Sequence, residues 1–394
     1  MIGVLPNNWK YVRLAEYCDV RDGTHDSPKY VSSGYPLITS KNVKDGYIDF
    51  NNISLISEDD FNNINKRSKV DWGDIIMPMI GTIGNPLIVE TDQEFAIKNV
   101  ALMKFNQKLL FNRYTYYFLK SPLFEYGLNK INRGGTQKFI SLGDIRNIQI
   151  PLPPPPEQKR IAAILDHANT ICKKRQQTIK ELNNLIPSIF YDMFGEHGLN
   201  PKAWPKKKIG EYCLKVEKYD PTQSPNKEFM YIDISSINNI DGQIESPQTL
   251  LGKDAPSRAR QKMKLGDVIV ATVRPNLRGT AWVTAEYDNQ ICSTGFSVLR
   301  PDQKHLTTDY LYTLTRDMWF TNSLISMTTG ANYPAVRHKD ILNLLIPVPP
   351  IHLQHDYSKK IMMLRNLQEK ARIAMQDTSD LFNSLVQRAF KGEL

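Results

Sequence analysis

Four basic residues alternate through "SRARQKMK": Arg258, Arg260, Lys262 and Lys264. Side chains two apart share one face of a strand, so the segment predicts a row of cations facing phosphate oxygens. A solvated edge that discourages sheet-to-sheet aggregation is the competing reading. An equivalent stretch earlier in the chain, "NKRSKVD", keeps Arg67 and Lys69. Other segments carry the same kind of chemistry: "ITSKNVKDG" with Lys41 and Asn42, "RPNLRG" with Arg274, Asn276 and Arg278, "NRGGTQKF" with Arg133, Thr136, Gln137 and Lys138, and "GANYPAVRHK" with Asn332, Tyr333, Arg337 and His338. Glycine lets backbone approach a ligand closely, and Arg, Lys, Asn and Gln hydrogen-bond base edges and phosphates. Turn geometry alone accounts for part of the Gly and Asn usage. A net charge of +9 agrees with a polyanionic partner, and double-stranded DNA is the expected one.

Catalytic constellations are absent by comparison. No GxxxxGK[ST] phosphate loop occurs, nor an Asn-Pro-Pro or Asp-Pro-Pro segment of the kind amino-methyltransferases use, nor a glycine-rich loop placed for S-adenosylmethionine. Glu157 and Lys159 have a nuclease-like spacing but open a helix without a paired upstream acid. His352 and His355 lack a third metal ligand, and no metal site is expected. The cysteines, at 18, 172, 213 and 292, form no CxxC pair and read as buried free thiols. No signal peptide and no bilayer-length apolar run is evident, so a cytoplasmic protein without membrane association is expected.

The elements that must position these loops come in duplicate. Ile150, Pro151, Pro153, Pro154 and Gln158 recur 196 positions later as Ile346, Pro347, Pro349, Pro350 and Gln354. Gly134, Asp144, Ile145 and Asn147 return at the same offset as Gly330, Asp340, Ile341 and Asn343. "WGDIIM" at Trp72 pairs with "LGDVIV" at Leu265. Colinear matches at nearly one offset make the chain a tandem duplication. Each repeat opens with short β-type runs and aromatic helical pieces, an α+β globule, and closes with a long helix. The expected boundaries are 1–150, 151–196, 197–345 and 346–394.

Both helices carry a heptad seam. Its members are Ile161, Leu165, Ile179, Leu182 and Ile186 in the first, and Ile361, Leu364, Met375, Phe382 and Leu385 in the second. Arg175 falls inside the first seam, where it would set register, and Pro187 should kink or interrupt that helix near its end. The proline runs make a stiff joint from globule to helix. If the seams bury each other within one molecule, connectivity makes them an antiparallel coiled coil and the protein a pseudo-two-fold dumbbell. Separate docking of each helix on its own globule is the alternative.

These features together resemble the specificity subunit of type I restriction-modification systems. The resemblance rests on "DGTHDSPKY", "ITSKNVKDG", "GDIIMPMIGTIG", "GDVIVATVRPNLRG", "CSTGFSVLRP", "TTGANYPAVRHKDI", "IPLPPPPEQKRIAAILD" and "FYDMFGE", in order and largely in duplicate. It implies two target-recognition domains reading the two halves of an asymmetric DNA site. It also implies helical spacers that hold two methyltransferase subunits, with an endonuclease subunit joining them. S-adenosylmethionine, ATP and Mg would then belong to the partners, and this chain would be non-catalytic and hold no cofactor. An enzyme with an unrecognised active site, or a coiled-coil organiser with no DNA role, are the competing classes.

Overall fold

A computed structural model of the chain describes residues 5–81, 83–105, 109–131, 139–328 and 334–394. It divides into two compact units: Met1–Gln177 with Ile373–Leu394, and Thr178–Arg372. Each unit is an α+β globule packed on segments of both long helices, Pro155–Phe194 and Ile351–Lys391.

The same framework is built twice. In unit 1 the strand Lys10–Arg13 pairs antiparallel with Gln149–Leu152; in unit 2 Lys206–Lys208 pairs with Leu345–Pro347. Each pair lies directly before a proline joint. A first four-stranded sheet runs Cys18–Asp22, Val100–Phe105, Ile75–Pro78, Leu87–Ile88 in unit 1, and Cys213–Leu214, Phe296–Pro301, Val268–Ala271, Thr280–Trp282 in unit 2. The central strands are apolar on both faces because core packs on both sides of the sheet, as Met77 and Ile76 illustrate by entering different clusters. An ion pair with a buried carboxylate recurs at this sheet: Lys104 Nζ lies 2.5 Å from Asp74 and Arg300 is 2.9 Å from Asp267.

The proline joints show why Gln158 and Gln354 repeat. Both are fully buried. Gln158 Oε1 accepts from Phe111 N–H at 2.8 Å, while its Nε2 donates to the carbonyls of Leu109 and Pro153. Gln354 repeats the set with Thr307, His305 and Pro349. The phenols of Tyr114 and Tyr310 donate to Pro151 O and Pro347 O, each at 2.7 Å. Burial raises both phenols' pKa, so they stay protonated donors. The joint is therefore held by buried side-chain bonds to backbone.

Ile161, Leu165, Ile361 and Leu364 are buried, and Ile179, Leu182, Ile186, Met375, Phe382 and Leu385 are half-buried. In unit 1 Ile161 and Leu165 share a core with Val386, Ala389 and Phe390, while Cys172 Sγ lies 3.8 Å from Thr378 O. Ascending one helix thus meets the other descending. Unit 2 shows the same antiparallel order, with Gln368 Nε2 3.0 Å from Asn183 Oδ1 and the Phe190 ring 5.3 Å from Tyr357.

Two expectations are corrected. The first helix continues through Pro187 to Phe194, because Phe190 and Phe194 beyond the proline are anchored in the unit 2 core and outweigh the lost backbone bond. Only Cys18 and Cys292 are fully buried, while Cys172 and Cys213 are half-buried. The first helix opens with Pro155 and Pro156 of its proline run, and the second begins at Ile351, directly after Pro349 and Pro350. Among the described residues no helix is long and apolar enough to cross a membrane.

Candidate nucleic-acid interface

In unit 2 the second sheet runs Gln248–Leu251, Glu228–Ile232, Ile291–Ser293, Ala259–Lys262. The alternating cations do not form the expected four-residue row. The edge strand spans only Ala259–Lys262, and its register shifts between Ala259 and Gln261, which breaks the alternation. Arg260 turns back to the carbonyls of Pro256 and Ala259, and its guanidinium sits 3.5 Å from Asp220. Lys264 lies past the strand, 3.8 Å from Glu217. Arg258 precedes the strand in a turn, exposed and without an ion pair among the described residues.

Backbone bonds draw Arg258 into one interlaced loop cluster. Thr294 N–H donates to Arg258 O, Thr272 N–H to Gly295 O, Val336 N–H to Thr272 O and Arg274 N–H to Pro334 O, all at 2.8–2.9 Å. Segments far apart in sequence, around residues 258, 274, 294 and 336, thereby form a single rim. Arg274 and Arg278 both adopt left-handed backbone, at φ 51° and 58°. Arg274 and Asn276 are exposed, whereas Arg278 is tied to Arg316 O. Ser297 Oγ is 2.6 Å from His338 Nδ1, and desolvation holds that imidazole's pKa below its ordinary value. His338 is therefore a neutral hydrogen-bonding group. Arg337 spends its guanidinium on Asp340 at 2.9–3.0 Å, capping the short helix His338–Asn343.

Unit 1 builds its rim from equivalent loops with different side chains. The bridge Ile80–Phe139 matches Val273–Ala335 of unit 2. Arg67 lies not on a strand but in the last turn of the helix Glu58–Ser68, where it pairs with Asp22. Lys69 follows that helix, exposed and 3.9 Å from Asp71. Lys41 is exposed, but Asn42 is buried and fully used: its Oδ1 accepts from Thr39 and its Nδ2 donates to Asp49 O and Asn52 O. Asn42 shapes the loop and has nothing left for a base. Arg133, Thr136, Gln137, Lys138, Asn332 and Tyr333 lie outside the described residues.

One residue the site reading overlooked is His25. Its ring nitrogens lie 2.9 Å from Asn99 Oδ1 and from Asp22 Oδ2, which links it to Arg67 through a shared carboxylate. Asn99 is left-handed at φ 53°. Gly23 beside it is required, since a Cβ there would sit 2.1 Å from Ile97 O. The signal was available: "DGTH" places a glycine beside an acid and a histidine.

No group of three or more metal-ligating side chains occurs among the described residues. Burial pushes the Cys18 and Cys213 thiols up to about 12, so neither is a ready nucleophile. Exposed Arg, Lys, His and Asn on glycine-bearing loops suit recognition rather than bond making.

Residues 6–184 match the type I restriction modification DNA specificity domain. The match spans the first repeat. Similarity continues over the whole chain. The type I restriction enzyme MjaVIII specificity subunit of Methanocaldococcus jannaschii is 23% identical over 391 residues, which cover 93% of this chain and 88% of the relative. The EcoDI specificity subunit of Escherichia coli is 21% identical, covering 100% and 90%. A crystal structure of a type I restriction-modification S subunit from M. genitalium shares the fold at a TM-score of 0.55, with 14% identity and 99% coverage of both chains. The chain is thus similar in sequence to type I specificity subunits and shares its fold with a solved one.

Proposed function

We propose that the protein is the DNA-reading, non-catalytic subunit of a type I restriction-modification complex. Each globule reads one half of an asymmetric, bipartite site. The helical segments hold two methyltransferase subunits, and an endonuclease subunit joins that core. S-adenosylmethionine, ATP and Mg are assigned to those partners. The observation that carries this reading is one backbone framework built twice with different rims: Arg67, Asp22 and His25 in unit 1, and Arg258, Arg274 and His338 in unit 2. A duplicated frame with divergent contact residues is what two different half-sites require.

The test is to express the chain with its partner subunits in a host lacking other methyltransferases and to sequence the methylome. A bipartite, non-palindromic motif is expected. Exchanging the loops around Arg258 and Arg274 should change one half of it only. A single continuous palindrome would overturn the proposal.

A further inference from the structure

The hairpins beside the two rims differ at their tips. In unit 1, Val43–Lys44 pairs with Tyr47–Ile48 through the two-residue turn Asp45-Gly46. In unit 2, Ile237–Asn238 pairs with Gln243–Ile244, and four residues, Asn239 to Gly242, form the tip. At that tip stands Ile240, 85% exposed, more than any other large hydrophobic side chain described. At that exposure the side chain contributes little to the unit's own core.

The tip holding it is rigid. Asn238 Oδ1 accepts from Ile240 N–H at 2.8 Å and from Asp241 N–H at 3.2 Å. Arg316 donates to Ile240 O at 2.5 Å, and the Tyr312 hydroxyl to the carbonyls of Asp241 and Gly242. Gly242 sits at φ 68°, where a Cβ would lie 2.1 Å from Arg316 Nη1. The nearby carboxylates of Asp241 and Glu245 are taken up by Asn238 Nδ2. The side chain at the apex is free while its backbone is fixed.

Its surroundings hold the cations Arg316 and Arg278 as well as the carboxylates of Asp241 and Glu245, and they adjoin the unit 2 rim. Gly279, next to Arg278, packs under the tip, its Cβ direction 3.5 Å from Asn239 Oδ1. Arg316 also donates to Thr280 O and accepts from Arg278 through its own carbonyl. The loop that displays Arg274 and Asn276 also leaves Leu277 half exposed.

We propose that Ile240 is a wedge that enters the base stack of double-stranded DNA and kinks it, and that only unit 2 does this. The inference rests on the rim being a DNA surface. Proteins that insert Ile, Leu or Phe between base steps unstack them and bend the duplex by about 20–90°, with flanking arginines on the phosphates. A fixed backbone is needed because a mobile tip would fold back rather than bear the unstacking cost.

The experiment uses the full chain assembled with its methyltransferase partners and duplexes carrying the site found by methylome sequencing. The adenine analogue 2-aminopurine, placed position by position, brightens where stacking is lost. Apart from the target base that each methyltransferase extrudes, which brightens in either half-site, a several-fold rise is expected at one step within or beside the unit 2 half-site, and none in the unit 1 half-site. Ile240→Ala should abolish the rise, reduce the bend seen by permuted-fragment gel mobility, and weaken binding about tenfold; Ile240→Phe should retain all three. Binding by the parent complex with brightening confined to the extruded target bases, or brightening at the unit 2 step unchanged in Ile240→Ala, overturns the wedge and leaves the DNA-reading proposal standing. Failure of the parent complex to bind any duplex overturns both. Loss of partner assembly in Ile240→Ala with DNA brightening intact would assign the side chain to a protein pocket instead.

Discussion

Where unit 1 lays a helix, unit 2 lays a strand. Both carry a short strand pairing parallel with the middle of their second sheet, Ala96–Ile97 with Leu37–Ile38 and Ile291–Ser293 with Tyr231–Ile232. Over the first packs the helix Glu58–Ser68, whose Phe61 joins Leu37, Ile56 and Ala96. Beside the second pairs the strand Ala259–Lys262. The cause is local sequence. "SEDDFNNINKRS" offers Ser57 as N-cap bonded to Asp60, acids in the first turn, and Lys66 and Arg67 in the last, all favouring a helix. "APSRARQKMK" has no first-turn acid and contains a proline. Arg67 and Arg258 thus reach the rims of the two units on different elements. A shared frame can tolerate exchange of an entire edge element, so long as the central strands and the proline joint persist.

If the frame is common, the two glutamine clamps should fail alike. Gln158→Leu and Gln354→Leu each leave three buried or part-buried backbone groups without their side-chain partner, at about 1–3 kcal/mol apiece for those shut off from water. Each should cost about 4 kcal/mol in urea unfolding followed by fluorescence. A large loss in one unit and little in the other would break the equivalence.

A sharper asymmetry concerns acid. His197 is 2% exposed, stacked 4.7 Å from Phe190 and 6.0 Å from Trp319, with neither ring nitrogen hydrogen-bonded. Desolvation lowers its pKa from 6.5 to about 4. The unfolded chain therefore takes up the proton first. Stability is full above about pH 6.5 and falls as pH drops to about 4, by about 3 kcal/mol across that window. Unit 1 has no buried histidine among its described residues. Chemical denaturation monitored at Trp319 across this window should show the loss, and His197→Phe should remove most of it.

The globule-to-helix ion pairs are exchanged in sign. Arg113 in unit 1 pairs with Asp166 on the helix at 2.9 Å, while Asp309, at the matching position of unit 2, pairs with Arg365 on its helix at 2.6 Å. Arg365 also lies 3.7 Å over the Trp282 ring. Arg365→Met should cost about 2 kcal/mol, by leaving a part-buried carboxylate unpaired and losing the cation–π contact. Arg113→Asp combined with Asp166→Arg should recover only part of what either change alone loses in thermal melting, because Arg113 also pairs with Glu90 and Asp166 also accepts from the Tyr117 hydroxyl.

The smallest effect expected is on salt dependence. Arg258→Ala should flatten the slope of log affinity against log salt by about one, with sequence preference kept. Arg67→Ala should change it less, since Asp22 already neutralises that guanidinium. Equal slopes for all three proteins would return Arg258 to the role of a solvated edge.

The duplication, the seam and the central strands were legible because they depend on periodic apolar residues and a constant offset. Ile161, Leu165, Ile361 and Leu364 needed no knowledge of their partners to be placed inside. The rim was harder to read. Arg260 and Arg337 look like Arg258 in sequence, yet acids and carbonyls distant or local have claimed them. Asn42 looked like a base reader and serves four loop contacts. Which polar side chains remain available is decided by loop closure, which no spacing encodes. The helix Glu58–Ser68 is different: its cap and charge order were on the page, and the repeat's strand analogy hid them.

The clamp at the proline joint has an evolutionary corollary. Gln158 and Gln354 grip only N–H and C=O groups, which every sequence possesses. A foreign globule whose main chain follows the same course would meet the same three bonds whatever its side chains. Recombination at this junction therefore needs no compensating mutation in the helix, and a lineage can acquire a new specificity in one crossover.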